Sequence, residues 1–211
     1  NAPSNYEGIV LVGYTVVDTH GATDSGFASI EVSNGVLAKG VIAGISQANI
    51  PVTLSAGSYS ITVNTDASGA FEAKISIDDL TKIVEISAGY PNQSYTLKGY
   101  FGSIGELLNG ADSNKIANLP PLSHFTTAEY EMLQFVNNGE IQSESVYANK
   151  VLEVDYDYVI DLAAAANMIV TSNETSLPAG YSSINHLMKS PYRARKALGV
   201  WRVNNNAVYL Q

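Results

Sequence analysis

The chain has 211 residues, no cysteine, and a formal net charge of −9 from 20 acidic against 11 basic side chains. That length buries one substantial core or two small ones, and the charge argues against nucleic acid or an anionic membrane as partner, because a phosphate backbone is neutralised by Lys and Arg. Disulfides, cysteine nucleophiles and iron–sulfur ligation are excluded, and with mean hydropathy at +0.03 no stretch approaches the roughly 18 to 20 apolar residues of a transmembrane helix.

Residues 1–32 carry the run YEGIVLVGYTVV, strongly β-prone, then a Thr-His-Gly turn and SGFASIEV. This segment is expected either to add strands to a following sandwich or to reach out as an arm that exchanges with a neighbouring subunit. Tyr6, Ile9, Leu11 and Tyr14 are its candidate interface residues. Gly, Asn, Asp and Ser then punctuate GVLAKGVIAG, SYSITVNT, AFEAKISI, TKIVEISA and SYTLKGYF. Period-two alternation puts Tyr59, Ile61 and Val63 on one strand face, and Phe71, Ala73, Ile75 and Ile77 on another. The runs are short and no helical segments intervene, which favours a sandwich over an α/β sheet.

Between two of these runs lies NTDASGAFEAKI, residues 64–75. Asp66, Ser68 and Glu72 around a glycine suggest a calcium loop, which wants oxygens at positions 1, 3 and 5, Gly at 6 and Glu at 12. Counting from Asp66 places Ala70 at 5, Phe71 at 6 and Ile77 at 12, so three required positions fail. A turn accounts for the same residues: Asp66 and Ser68 shape it, Gly69 supplies φ > 0, and Phe71 restarts the inward alternation.

From residue 103 the period changes. SIGELLNG suits one or two helical turns, and IANLPPLSHF reads as a connector stiffened by Pro120 and Pro121. FTTAEYEMLQFVNNG is predicted as a helix, with Thr126 and Glu129 as capping box and Asn138–Gly139 as stop. Residues 143–152 form a second helix candidate, and YDYVIDLAAAANMIVTS is the best-defined one, capped by Asp155 or Asp157. SSINHLMKS and PYRARKALG read as short helices separated at Ser190–Pro191, and VWRVNNNAVYLQ as a hairpin. The start at Asn1 fits a removed or omitted leader, and the ending leaves room for a further domain.

The KGVI-containing run and the TDASGAF hairpin together resemble the carboxypeptidase-regulatory-like domains over roughly residues 33–102. The resemblance implies a transthyretin-like, immunoglobulin-like sandwich of the kind used as a module in secreted and surface proteins of bacteria. ISQANIPVTLSAGS, residues 45–58, departs from it as an irregular insertion where a regular alternating strand is usual. SHFTTAEYEMLQ, DYVIDLAAAANMIV and LPAGYSSINHLM, in that order, resemble the helical region that follows such a sandwich in proteobacterial envelope lipoproteins of undefined function. The fold class expected is therefore α+β, with a sandwich over residues 1–102 and a mainly helical domain over 103–211. The resemblance implies export and envelope anchoring, without catalysis.

No constellation points to a reaction. His20, His124 and His186 lack ligand spacing, no G-x-S-x-G elbow is present, and GSIG at 102–105 lacks a phosphate-loop lysine. Asp78–Asp79 closes a strand, and Glu153, Asp155 and Asp157 lead into a helix whose N-terminus favours negative charge. No catalytic residue, metal or cofactor is expected. Tyrosine is the enriched aromatic, 13 against the single Trp201, and exposed tyrosines or Trp201 suit an interface or a glycan platform. The expectation is a structural or interaction module, self-assembling into a homo-oligomer, filament or surface array by exchange of its N-terminal strand. A glycan- or peptide-binding module is the alternative, and a hydrolytic enzyme the third reading.

Overall fold

The computed structural model describes residues 8–32, 35–76, 79–91, 95–171, 177 and 179–190. Strands β1 (Gly8–Val17), β2 (Thr23–Val32), β3 (Gly35–Val41), β4 (Pro51–Ala56), β5 (Tyr59–Asn64), β6 (Ala70–Ser76), β7 (Ile83–Gly89) and β8 (Thr96–Ser103) come first. Helix α1 (Ile104–Gly110), strand β9 (Ile116–Asn118) and helices α2 (His124–Asn137), α3 (Glu144–Val151), α4 (Tyr156–Thr171) and α5 (Ile184–Met188) follow. The order is β then α, the coarse α+β architecture expected. The short helix expected in PYRARKALG, Trp201 and the C-terminal hairpin lie outside the described residues, as do Tyr6, Ile77 and Asp78.

The chain divides into two units, Asn1–Gly35 and Val36–Gln211. In the first, β1 and β2 pair antiparallel in unbroken register from Gly8↔Val32 to Val17↔Thr23. The strands repair each other's gaps. Phe27 stands opposite Gly13, and Tyr14 opposite Gly26, where a Cβ would lie 2.7 Å from the phenol oxygen. Because neighbouring residues face opposite sides of a strand, the two rings cover opposite faces.

In the second unit a four-stranded antiparallel sheet runs in the order β5-β4-β7-β8, and a three-stranded sheet in the order β6-β3-β9. The alternation predicted for β6 places Phe71, Ala73 and Ile75 in the core, and Phe71 packs on Gly40 of β3, where a Cβ would be 2.5 Å from the ring. Residues 51–56 are not part of an irregular insertion. They form β4, interior to its sheet, with Val52, Leu54 and Ala56 alternately buried and Pro51 at the first position, where its missing N–H costs the strand little.

The supposed connector at 116–122 also contributes a strand. β9 pairs parallel with β3 through Ala38↔Ala117, and beyond the two prolines Ile42 bridges to Leu122. At the start of α2 the cap is Ser123 and not Thr126. The Ser123 hydroxyl accepts from the Thr126 amide while the Thr126 hydroxyl accepts from the Ser123 amide, so the capping box is shifted by one turn. Asn138 ends the helix in the left-handed conformation, and Asp155 caps α4.

Inward residues of both sheets join one buried cluster with Ala128 and Met132 of α2, Leu162, Ala165 and Ala166 of α4, and Ile184, Leu187 and Met188 of α5. The junction runs along β8, which among the described residues is an edge strand. Its outward amide at Lys98 donates to the Thr127 hydroxyl at 2.9 Å. At Thr96, Asn185 acts as a surrogate strand: its carbonyl accepts from the Thr96 amide at 2.8 Å, and its amide donates to the Thr96 carbonyl at 2.9 Å. An unmade bond at a part-buried edge costs the desolvation of the group left behind.

Replacing Asn185 by Ala is expected to cost about 2–3 kcal/mol, since it orphans both a donor and an acceptor; urea unfolding should show a lower midpoint at unchanged slope. Gly69→Ala should be more damaging. At φ +81 its new Cβ would collide with the Ile45 carbonyl, and the loss expected in the same assay is more than about 3 kcal/mol.

Candidate functional site

The residues singled out in NTDASGAF are occupied with backbone. One oxygen of Asp66 accepts from the Ser68 amide (2.8 Å), the Ser68 hydroxyl (2.6 Å) and the Ala70 amide (3.0 Å). These bonds, that of the Ser68 hydroxyl foremost, hold the carboxyl below its usual range. The same plan occurs twice more. Asp18 receives the amides of His20 and Ala22, Asp112 those of Asn114 and Ile116, and in each loop the fourth residue takes positive φ: Gly21, Gly69 and Lys115. Three turns thus share one chemistry. Among the described residues no three His, Asp or Glu side chains gather as a metal ion would need.

The histidines are dispersed. His20 sits in the β1–β2 loop next to Thr19, and His186 within α5 receives the Ser182 amide. His124 opens α2 and stacks on the buried Tyr95 ring, its Nδ1 3.2 Å from the phenol oxygen. Burial holds the His124 imidazole below its ordinary pKa and the Tyr95 phenol above its own. This cluster, with Tyr90 tilted against both rings, fills space between strand and helix.

Of the candidate interface residues, Ile9, Leu11 and Tyr14 lie on β1 with their side chains exposed. They are part of a larger set. Leu11 is 66% and Phe27 of β2 is 78% exposed, and Val12, Val16, Val17 and Ile30 are also open. Ile9, Leu11, Val17 and Phe27 fall on one face of the ribbon, and Val12, Tyr14, Val16 and Ile30 on the other. Phe27 was not among the sequence candidates, because SGFASIEV alternates in the ordinary way and only its lack of a cover singles it out. Among the described residues β1 and β2 form a sheet of their own.

A second concentration of polar groups lies on the outer face of the four-stranded sheet. Ser55 of β4, Glu85 of β7 and Tyr100 of β8 form one cross-strand row, at a β-bulge between Ile83 and Glu85. The Tyr100 oxygen accepts from the Ile141 amide and from Gln134 Nε2, each at 3.2 Å. Gln134 also reaches the Tyr130 oxygen at 2.5 Å, and Tyr130 donates to Glu85 Oε1 at 3.1 Å. Lys98 lies over the Tyr130 ring, 4.9 Å from its centre. Burial raises the pKa of both phenols, so they remain donors throughout the physiological range. The segment Glu140–Gln142 borders this row and, with Gly57 and Lys82, lines an open cleft of about 400 Å³. Sequence reading missed it, because the row exists only once register is fixed.

Glu131 on α2 is only 6% exposed. Among the described residues no donor hydrogen-bonds its carboxylate, while Lys98 and Lys189 act on it through their field. Burial outweighs them and raises its pKa. Among the described residues no helix is long and apolar enough to cross a membrane. No protein-family model, curated protein or solved structure matches the chain.

A carboxyl with its folded pKa raised favours the folded state at low pH, and that contribution is lost as pH climbs from the unfolded value, near 4.5, through the folded one. Glu131→Gln should therefore be more stable than the parent at pH 7, with the difference vanishing as pH falls to the unfolded value. Thermal unfolding of both proteins across that range checks the sign.

Proposed function

We propose that this protein is a non-catalytic interaction module of an exported, cell-envelope or extracellular bacterial protein, and that it self-associates through its β1–β2 hairpin. The observation that carries this is a ten-residue ribbon with large apolar side chains open on both faces. A lone two-stranded ribbon is marginal in water, and exposed patches of this kind mark interaction surfaces.

A second copy is the occupant that fits. β1 has no charged residue, whereas β2 carries Asp24 and Glu31 near its ends, as strands protected against pairing do. β1 is thus the joining edge, and a two-fold arrangement brings β1 against β1 with matched length and equivalent apolar faces. The Ser/Thr/Asn/Gly-rich strands and scarce lysines suit an exported protein. The sandwich reading is supported by the core that both sheets share. The resemblance of KGVI and TDASGAF to the carboxypeptidase-regulatory-like modules of secreted and surface proteins, and of the helical region to that of envelope lipoproteins, is what suggests the envelope.

Sedimentation should give a dimer or larger species for the full chain. The double variant Leu11→Lys/Val12→Lys, which charges both faces of β1, should sediment as a monomer with unchanged far-ultraviolet circular dichroism. A monomeric parent protein, or a variant that still associates, sinks the reading.

A further inference from the structure

We infer that the cleft along the Ser55–Glu85–Tyr100 row is a binding site for a neutral sugar residue of an oligosaccharide, a function that does not depend on association of the hairpin. The floor is built, not incidental. Register places a hydroxyl, a carboxylate and a ring edge side by side across three strands, and the bulge at Ile83/Glu85 sets the aim of the central carboxylate. The Tyr130 phenol fixes Glu85 Oε1, which leaves the other oxygen as a pre-oriented acceptor. The wall is fixed as well: the Ile141 amide bonded to the Tyr100 oxygen pins the Glu140–Gln142 segment beside the row.

The mixture of groups selects the ligand. Glu85 and Glu140 accept, Lys82 and Gln142 donate, and Ser55 does either. Lys82, 3.6 Å from Asp79 Oδ2, still sets an ammonium against a cationic ligand, and an anionic one would meet two carboxylates. A metal ion lacks a third acidic or histidine ligand among the described residues. A polyol presents donors and acceptors on every hydroxyl and satisfies both kinds of wall group. The volume, about 400 Å³, lies within the ~300–1,000 Å³ range of small-molecule sites and suits a disaccharide-sized ligand.

Amide chemical shifts of the full chain should be followed on titration with cellobiose, chitobiose and lactose, and separately with butylamine and inorganic phosphate. At least one sugar is expected to shift Gly57, Glu85 and Ile141 saturably. Glu85→Gln keeps an acceptor for Tyr130 but turns the free oxygen into a donor, and Gln142→Ala removes an exposed amide. Each should weaken that sugar about tenfold or more while leaving the remaining amide spectrum in place. The inference is overturned if no sugar shifts these amides up to its solubility limit, if only butylamine or phosphate does, or if both variants bind as the parent does.

Discussion

The second unit depends on how β8 satisfies its outer edge. A strand at the end of a sheet presents a row of amides and carbonyls that must find water or a partner. On β8 they find side chains of the helical region, Thr127 from α2 and Asn185 from α5. The Thr127 hydroxyl is itself saturated, since it accepts from Lys98 and donates to the Ser123 carbonyl at 2.7 Å. Each bond is modest on its own, yet together they fix the direction of α2 and the depth of α5. Those placements bring Met132, Leu187 and Met188 into contact with the inner faces of the strands.

Much else follows from the position of α2. Its Tyr130 and Leu133 close a second, smaller cluster with Ile83, Tyr100 and Ile141 on the other side of the sheet. The helix therefore serves two packing environments at once, and its polar residues are distributed accordingly. Gln134 links two phenols and Tyr130 holds Glu85, so the outer cluster is both buried and hydrogen-bonded. Glu131, one position beyond Tyr130, lacks such bonds among the described residues. Its raised pKa reflects the burial imposed by that same placement.

Local chemistry was legible in the sequence to the extent that it is local. Period-two alternation located β6, and the Asn-Gly stop located the end of α2, because both depend on neighbours in the chain. PVTLSA was obscured by its leading proline, although a proline at the first position of a strand is compatible with an interior strand. Ile116–Asn118 was hidden by Pro120 and Pro121, which interrupt the parallel pairing with β3 without preventing it. The cap of α2 was misplaced because TTAE and SHFT are both credible boxes, and packing of Thr127 against the β8 edge favours the earlier start. The row of Ser55, Glu85 and Tyr100 was invisible for a different reason. Its members are far apart in sequence, and only cross-strand register makes them neighbours.

Two of the edge strands, β8 and β1, pose one physical problem and receive different treatments. β8 is polar at its margin, is covered by side chains matched to its backbone, and contributes Tyr100 to a polar surface. β1 is apolar on both faces and charge-free along its length, and β2 alone pairs with it among the described residues. Within the hairpin, Phe27 over Gly13 and Tyr14 over Gly26 secure the register but leave the outer surfaces of both rings in solvent. A sequence selected for solubility of an isolated ribbon would place lysine or glutamate at several of those positions. Neither residue occurs on β1, whereas β8 meets side chains matched to its backbone, and the self-association proposed for the hairpin rests on that contrast.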